Sequence, residues 1–503
     1  MAVVNLAGLV RSAAEAQPDK LALIDGERSI SWAELDAQID RLAAGLRSTG
    51  RADRARVGIL LPNSVEFVIA YFGVLRADLV VVPLNLAYTA AELGFQITDA
   101  DVSLVITDVE RAETVREAAA IPLVTIDGDA DGWSELLAAG EAGAVEPATG
   151  GDELAVLLYT SGTSGRPRGA MLSHRAMLGN LEQLSRIDPP VVASDDRVLL
   201  VLPLFHVYGL NAGLGMVARS AATGVLAQRF DPVETLAVVR NQHVSCIVGA
   251  PPMFVAWSML PDLGESLSSV RLALSGAAPL PPAVLTAVLE SSGHHIFEGY
   301  GLTETAPVLT TTLCSQVAKP GSVGKPVPGV ELKLLVEPEE DDGDGIGSED
   351  PGEVAVRGAN LFSGYWPDGE GGPDDDGWWR TGDIGYVDAD GDLFLVDRTR
   401  DLILVSGFNV YPREVEEVLR RHPAVEEVAV IGVPHPYTGE TVKALVVLKP
   451  EQSEDADGLI DFAASSLARF KCPTTIEFVS ELPHSLTGKV AKGRLRESAR
   501  SAS

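Results

Sequence analysis

Short apolar runs alternate with helix-like segments through the first four hundred residues, and no other property of the chain narrows its fold as far. The runs 57–61, 79–83, 103–107, 199–203, 246–250 and 271–275 are strand-like, and helical stretches at 64–76 and 281–291 lie between them. Such alternation predicts an α/β fold with a large, multi-layer N-terminal domain of mostly parallel sheets. No internal repeat is visible. At 503 residues and 46% hydrophobic the chain exceeds the size at which single cores stop growing, so a second domain is expected.

The boundary falls at 398–401. Beyond it the pattern predicts a strand at 402–405, a helix at 412–421, strands at 425–432 and 443–448, and a helix at 459–468. This reads as a small α+β domain over 402–503, after an N-terminal domain over 1–397. Two Gly/Asp/Glu-rich stretches, 337–352 and 367–377, are flanked by strand-like runs and read as hairpin tips.

Charge divides the chain at the same place. The formal charge is −32, from 39 basic and 71 acidic residues. From residue 398 onward there are 14 basic and 15 acidic, leaving 25 and 56 before it. So acidic a protein is no partner for nucleic acid or an anionic membrane surface, whereas the balanced C-terminal part could receive a polyanion. The three cysteines, Cys246, Cys314 and Cys472, fit neither a disulfide framework nor a metal spacing, which points to a reducing cytosol. The N-terminus reads as an amphipathic helix rather than a signal, and no run reaches the ~18 apolar residues of a spanning helix. A cytoplasmic location is expected.

Residues 159–169, YTSGTSGRPRG, follow the strand-like run 154–158. Glycines let backbone N–H groups approach a phosphate closely, and the hydroxyls add donors. No Gly-Lys-Ser/Thr follows, which disfavours a P-loop kinase or GTPase. An ordinary flexible Ser/Gly loop is the bland alternative, less suited to six Ser, Thr or Gly in a row between an apolar strand and basic residues.

Further segments follow in order: PLFHVYG at 203–209, LSGAAP at 274–279, EGYGLTE at 298–304, WRTGD at 379–383, Asp397-Arg398, Ser406-Gly407 and LTGK at 486–489. Together with the loop they resemble the adenylate-forming superfamily of acyl-CoA ligases, luciferases and amino-acid adenylation domains. The resemblance covers nearly the whole chain. It implies that Thr160, Ser161, Gly162, Thr163, Ser164, Gly165 and Arg168 meet the ATP phosphates. It implies that Tyr300 stacks on adenine, with Ser275, Gly276, Ala277, Glu298, Gly299 and Gly301 around the nucleotide. Thr303 would touch the α-phosphate and Glu304 would hold Mg²⁺, a hard cation suited to carboxylate and phosphate oxygens. Asp383 would accept from the ribose hydroxyls, with Arg398 beside it. Taken singly, Glu304 and Asp383 would read as solvated surface carboxylates and Lys489 as a snorkelling lysine. In the family position Lys489 bridges carboxylate and phosphate, offsetting charge in the transition state.

The resemblance also implies a two-step reaction. ATP and the acid give acyl-AMP, and the C-terminal domain then turns about a hinge at Arg400 to admit coenzyme A. Ser406, Gly407, Lys443, Arg469 and Lys471 are the candidate CoA contacts. Three departures stand out. Arg168 replaces the lysine usual at the end of the loop, which changes geometry while keeping charge. Arg400 replaces the usual Asp or Lys. Residues 366–376 lack the usual Pro-Glu-x-Thr stretch.

For the acid, His206 is expected to line the pocket rather than act as an acid or base. Val207, Leu210, Met253, Phe254, Trp257, Ala278, Pro307 and Val308 complete an apolar set. There is no Asp near 205–206 to hold an ammonium, and no Arg within 251–257 to pair a second carboxylate, whose burial unpaired would be costly. The expectation is a monocarboxylic acid with an apolar tail, fatty rather than aryl. An aryl acid, or a carrier protein as acceptor, is the alternative.

Overall fold

The structure is a computed structural model that describes residues 4–127, 132–140, 143–160, 167–335, 351–398, 403–405, 408–435, 439–453, 455–467, 469–484 and 490–501. The described residues form two compact units. The first comprises Met1–Gly162, Pro167–Glu331 and Arg357–Trp379, and the second Leu332–Val356 and Arg380–Ser503.

The first unit is α/β, as its alternation predicts. One sheet has the strand order Leu123–Ile126, Val102–Asp108, Arg56–Leu60, Val80–Pro83, Leu154–Thr160, Arg168–Ser173. All its pairings are parallel except the last, a hairpin in which Thr160 lies opposite Arg168. The other sheet has a parallel run Ile296–Gly301, Leu272–Ser275, Cys246–Gly249, Arg197–Leu200, Thr223–Leu226, Leu21–Asp25. Val308–Thr311 adds antiparallel to Ile296–Gly301. Strands buried on both faces read as continuous apolar runs, which is why the sequence betrays them.

Helix starts are fixed by local chemistry. Ser64 accepts from the Phe67 N–H at 3.1 Å and opens helix Val65–Arg76. Ser173 caps His174–Ser185 in the same way, and Asp231 caps Pro232–Asn241. Helix Pro251–Ser258 turns Met253, Phe254 and Trp257 into a core with Val225, Leu236 and Val239.

In the second unit, strands Glu331–Leu335 and Gly352–Arg357 are neighbours on either side of the acidic stretch, most of which lies outside the described residues. Trp379–Val387 and Leu393–Arg398 form an antiparallel hairpin. The C-terminal part is the small α+β domain expected. A five-stranded sheet orders Phe408–Val410, Ile403–Val405, Gly439–Leu448 and Val425–His435, with Thr475–Phe478 parallel to Gly439–Leu448. Helices Pro412–Arg420 and Ala456–Ala464 cover an apolar core of Val415, Leu419, Val430 and Val446. Strands Phe408–Val410 and Thr475–Phe478 and helix Lys492–Ser501 were not apparent from the apolar pattern, being short or strongly polar.

Candidate active site

Strands Leu154–Thr160 and Arg168–Ser173 pair antiparallel on either side of the Ser/Thr/Gly segment in the sequence. Residues Ser161, Gly162, Thr163, Ser164 and Gly165 lie outside the described residues. The end of the first strand is anchored. Tyr159 donates its hydroxyl to Asp99 Oδ2 at 2.5 Å, and burial raises its pKa above the ordinary phenol range. Trp366 Nε1 donates to the Asp99 carbonyl at 2.9 Å.

Arg168 leads from this hairpin to the second half of the site. Its guanidinium lies 3.8 Å from the ring centroid of Tyr365, and the Tyr365 hydroxyl donates to Glu304 Oε1 at 2.6 Å. Glu304 is buried, on a short 3₁₀ turn Thr303–Thr305 that starts just after strand Ile296–Gly301. The turn is held tightly. Asn360 Nδ2 donates to the Thr305 carbonyl at 2.8 Å, and the Phe362 N–H to the Glu304 carbonyl at 2.9 Å. Asn211 Nδ2 reaches the Ala306 carbonyl at 2.7 Å, and Asn180 bonds both backbone groups of Val308, at 2.8 and 3.1 Å. A Cβ on Gly301 would stand 1.8 Å from the Pro307 carbonyl oxygen, so the chain can pass there only as glycine.

The adenine candidates sit on neighbouring strand ends, since Ser275 is in register with Glu298. Ser275 is buried with its hydroxyl unpaired, and Ala277 adopts φ 71°. Tyr300 is half-buried. Glu298 is a buried scaffold carboxylate: its Oε1 accepts the Leu280 N–H at 3.0 Å. Gly299 and Gly301 pair with Thr311 and Val308.

Tyr208 packs against Gly276, where a Cβ would come within 3.0 Å of its hydroxyl. It also lines an apolar cavity of about 30 Å³ together with Ala212, Leu274, Gly299, Val308 and Thr311. Of the expected pocket residues, Val308 lines this cavity. His206 accepts the Tyr208 N–H at Nδ1, 3.3 Å, and so helps set the turn into the π-helix Tyr208–Gly215. Val207 and Leu210, near it in the chain, are buried, as is Pro307, and Ala278 is half-buried. Met253, Phe254 and Trp257 are placed in the core described above, with Trp257 Nε1 donating to the Pro232 carbonyl at 3.0 Å.

In the second unit, Asp383 is buried and lies opposite Arg398 in the hairpin register; its N–H donates to Thr381 Oγ1 at 3.1 Å. Two candidate CoA contacts are engaged within their own domain, Lys443 with Glu477 at 2.7 Å and Lys471 with Glu414 at 2.7 Å. Arg469 is exposed. Arg400, Ser406, Gly407 and Lys489 lie outside the described residues. The hairpin turn of the same unit groups Asp388, Asp390 and Asp392, but Asp388 Oδ1 accepts the N–H groups of Asp390 and Asp392 at 3.0 Å, as a turn device does. All three cysteines are free thiols. No described helix is long and apolar enough to cross a membrane.

Sequence reading missed Tyr365, Tyr208, Asn180 and Asn211. Asn211 carried a usable signal, being a lone amide in an otherwise apolar stretch.

The Glu304 carboxylate suits a divalent cation. It is buried, and its two oxygens offer about four lone-pair sites, of which the Tyr365 hydroxyl takes one. A buried carboxylate linked through Tyr365 to Arg168, next in sequence to a Ser/Thr/Gly run on an α/β scaffold, suits an enzyme that handles nucleotide phosphates. The family comparison agrees: residues 10–366 match the AMP-binding enzyme family and residues 414–489 the AMP-binding enzyme C-terminal domain. The chain belongs to this family, the adenylate-forming superfamily, as an ATP-dependent, AMP-forming acyl-CoA ligase.

Among its relatives is the long-chain-fatty-acid–CoA ligase of Bacillus subtilis (strain 168), 34% identical over 98% of this chain and 94% of that protein. The feruloyl-CoA synthase of an Amycolatopsis species is 36% identical over 96% of each. The crystal structure of ATP-bound MatB from Rhodopseudomonas palustris superposes with a TM-score of 0.89 at 32% identity, over 99% of each chain.

Proposed function

We propose that the chain activates a monocarboxylic acid with an apolar tail, a fatty acid, as its CoA thioester. The observation that carries this reading is that segment 251–257, expected to line the acid site, holds no charged side chain. A second carboxylate there would be buried without a partner. The fatty-acid ligase of Bacillus subtilis supports the same class. The 36% identity to a feruloyl-CoA synthase favours a second reading, an aryl acid.

The reaction runs in two displacements. A carboxylate oxygen of the acid bonds to the α-phosphorus of ATP and pyrophosphate leaves, giving acyl-AMP. The CoA thiolate then bonds to the acyl carbon and AMP leaves. In the first step Thr160, Ser161, Thr163 and Ser164 hold the phosphates, together with Arg168. Thr303 meets the α-phosphate, and Glu304 would hold Mg²⁺, which would supply positive charge against the phosphates. Ser275, Gly276, Ala277 and Tyr300 take the base, and Asp383 with Arg398 the ribose. Lys489 offsets charge between carboxylate and α-phosphate. For the second step the domain from 402 onward turns about Arg400, removes Lys489 and presents a near-neutral surface to the CoA phosphates.

The test is a panel of fatty and aryl acids with ATP, following loss of CoA thiol and release of AMP. Turnover of medium or long fatty acids is expected. Preference for an aryl acid selects the second reading. Acyl-AMP that CoA never consumes refutes the ligase assignment for this chain and leaves a carrier protein as the acceptor to try.

A further inference from the structure

Tyr365 belongs to none of the sequence segments that pointed to the site, yet it touches two groups assigned to the phosphates. Its hydroxyl donates to Glu304 Oε1 at 2.6 Å, and its ring carries the Arg168 guanidinium at 3.8 Å from the centroid. The backbone holds it firmly. The Tyr365 N–H donates to the Glu370 carbonyl at 3.0 Å, and its carbonyl accepts the Gly369 N–H at 2.8 Å. On either side, the Trp366 N–H bonds the Gly169 carbonyl at 2.8 Å and the Met171 N–H bonds the Gly364 carbonyl at 3.1 Å. The segment is thus laced to strand Arg168–Ser173. Gly371, at φ 72°, leaves the ring its room: a Cβ there would lie 3.2 Å from the Tyr365 ring and 3.8 Å from Arg168 Nη2.

We propose that Tyr365 is a positioning residue that couples Arg168 to Glu304, so that the loop's basic residue and the metal-binding carboxylate are set by one side chain. The inference rests on the reading of Glu304 as the Mg²⁺ ligand of bound ATP. A carboxylate at the end of a Glu side chain has several rotamers, and a charge-assisted bond from a fixed phenol selects one. The cation over the ring face draws electron density from the phenol and makes its O–H the stronger donor. A planar guanidinium can stack in this way and a compact ammonium cannot, which gives a reason for arginine at this position.

The experiment is ATP binding without acid, read by tryptophan fluorescence (Trp366 adjoins Tyr365) over a series of Mg²⁺ concentrations. Tyr365→Phe keeps the ring and the stacked arginine and removes only the hydroxyl. It is expected to raise the Mg²⁺ needed for half-maximal ATP affinity about tenfold, the scale of one bond to a charged acceptor. Arg168→Lys should shift the same quantity in the same direction, and the double variant should show less than the product of the two shifts. Wild-type Mg²⁺ dependence and ATP affinity in Tyr365→Phe overturn the positioning role. If wild-type affinity itself ignores Mg²⁺, the metal reading of Glu304 fails instead, and only a loss of ATP affinity in Tyr365→Phe then supports the coupling.

Discussion

Acid should loosen the N-terminal half of the protein through one histidine. His174 opens helix His174–Ser185 and is 1% exposed. Its Nδ1 accepts the Leu6 N–H at 3.2 Å, and Asn5 Nδ2 lies 3.4 Å from its Nε2, so the ring holds down the start of the chain. Burial pushes its pKa down from 6.5 to about 4, against the opposing pull of Glu153 and Asp78. The folded state therefore resists a proton that the unfolded chain accepts. Stability from this residue is complete above the unfolded pKa of 6.5, falls as pH drops below it, and is lost by the time pH reaches the folded value. At pH 5 the loss is about 2 kcal/mol relative to pH 8, from 1.36 kcal/mol per pKa unit.

Urea unfolding at pH 8 and pH 5 measures the loss, with His174→Gln as reference. The glutamine carbonyl can still accept the Leu6 N–H but cannot titrate, so its own cost appears equally at both pH values. The wild type should lose about 2 kcal/mol more than the variant between the two. Equal losses would mean that His174 protonates in the folded state without penalty, and the burial argument would be wrong.

Other outcomes follow from the site. Lys489→Ala should abolish acyl-AMP formation from acid and ATP while supplied acyl-AMP still yields thioester; pyrophosphate release and CoA-thiol loss read the two halves, and equal loss of both contradicts the assignment. Ala212→Leu overfills the small cavity against Leu274 and Val308 and should cost about 1–3 kcal/mol in urea unfolding. Gly301→Ala drives a Cβ into the Pro307 carbonyl and should displace the Thr303–Thr305 turn, weakening ATP binding in a fluorescence titration and costing about 1–3 kcal/mol in urea unfolding.

The parts of this site that were legible in sequence are those whose chemistry is local. The family match rests on runs such as 159–169, whose consecutive small residues after a strand stand out in the sequence. Strands buried on both faces must be apolar throughout, so Val80–Pro83 and Cys246–Gly249 could be read within a residue or so of their ends. Apolar character alone does not say whether a side chain walls a pocket or fills a core. Met253, Phe254 and Trp257 have the composition of an acyl pocket, and helix Pro251–Ser258 packs them against Val225 and Val239, as a core would. Tyr365 was illegible for a different reason. Its partners lie sixty-one positions away at Glu304, and farther still at Arg168, and only the lacing of 364–366 onto 169–171 brings them to one ring. That lacing sits where the chain departs from the usual Pro-Glu-x-Thr stretch, beside the arginine that departs from the usual lysine. Two departures meeting on one tyrosine are better explained as one rearranged contact than as two separate losses, because each supplies what the other needs: a planar cation for the ring, and a ring held still for the cation.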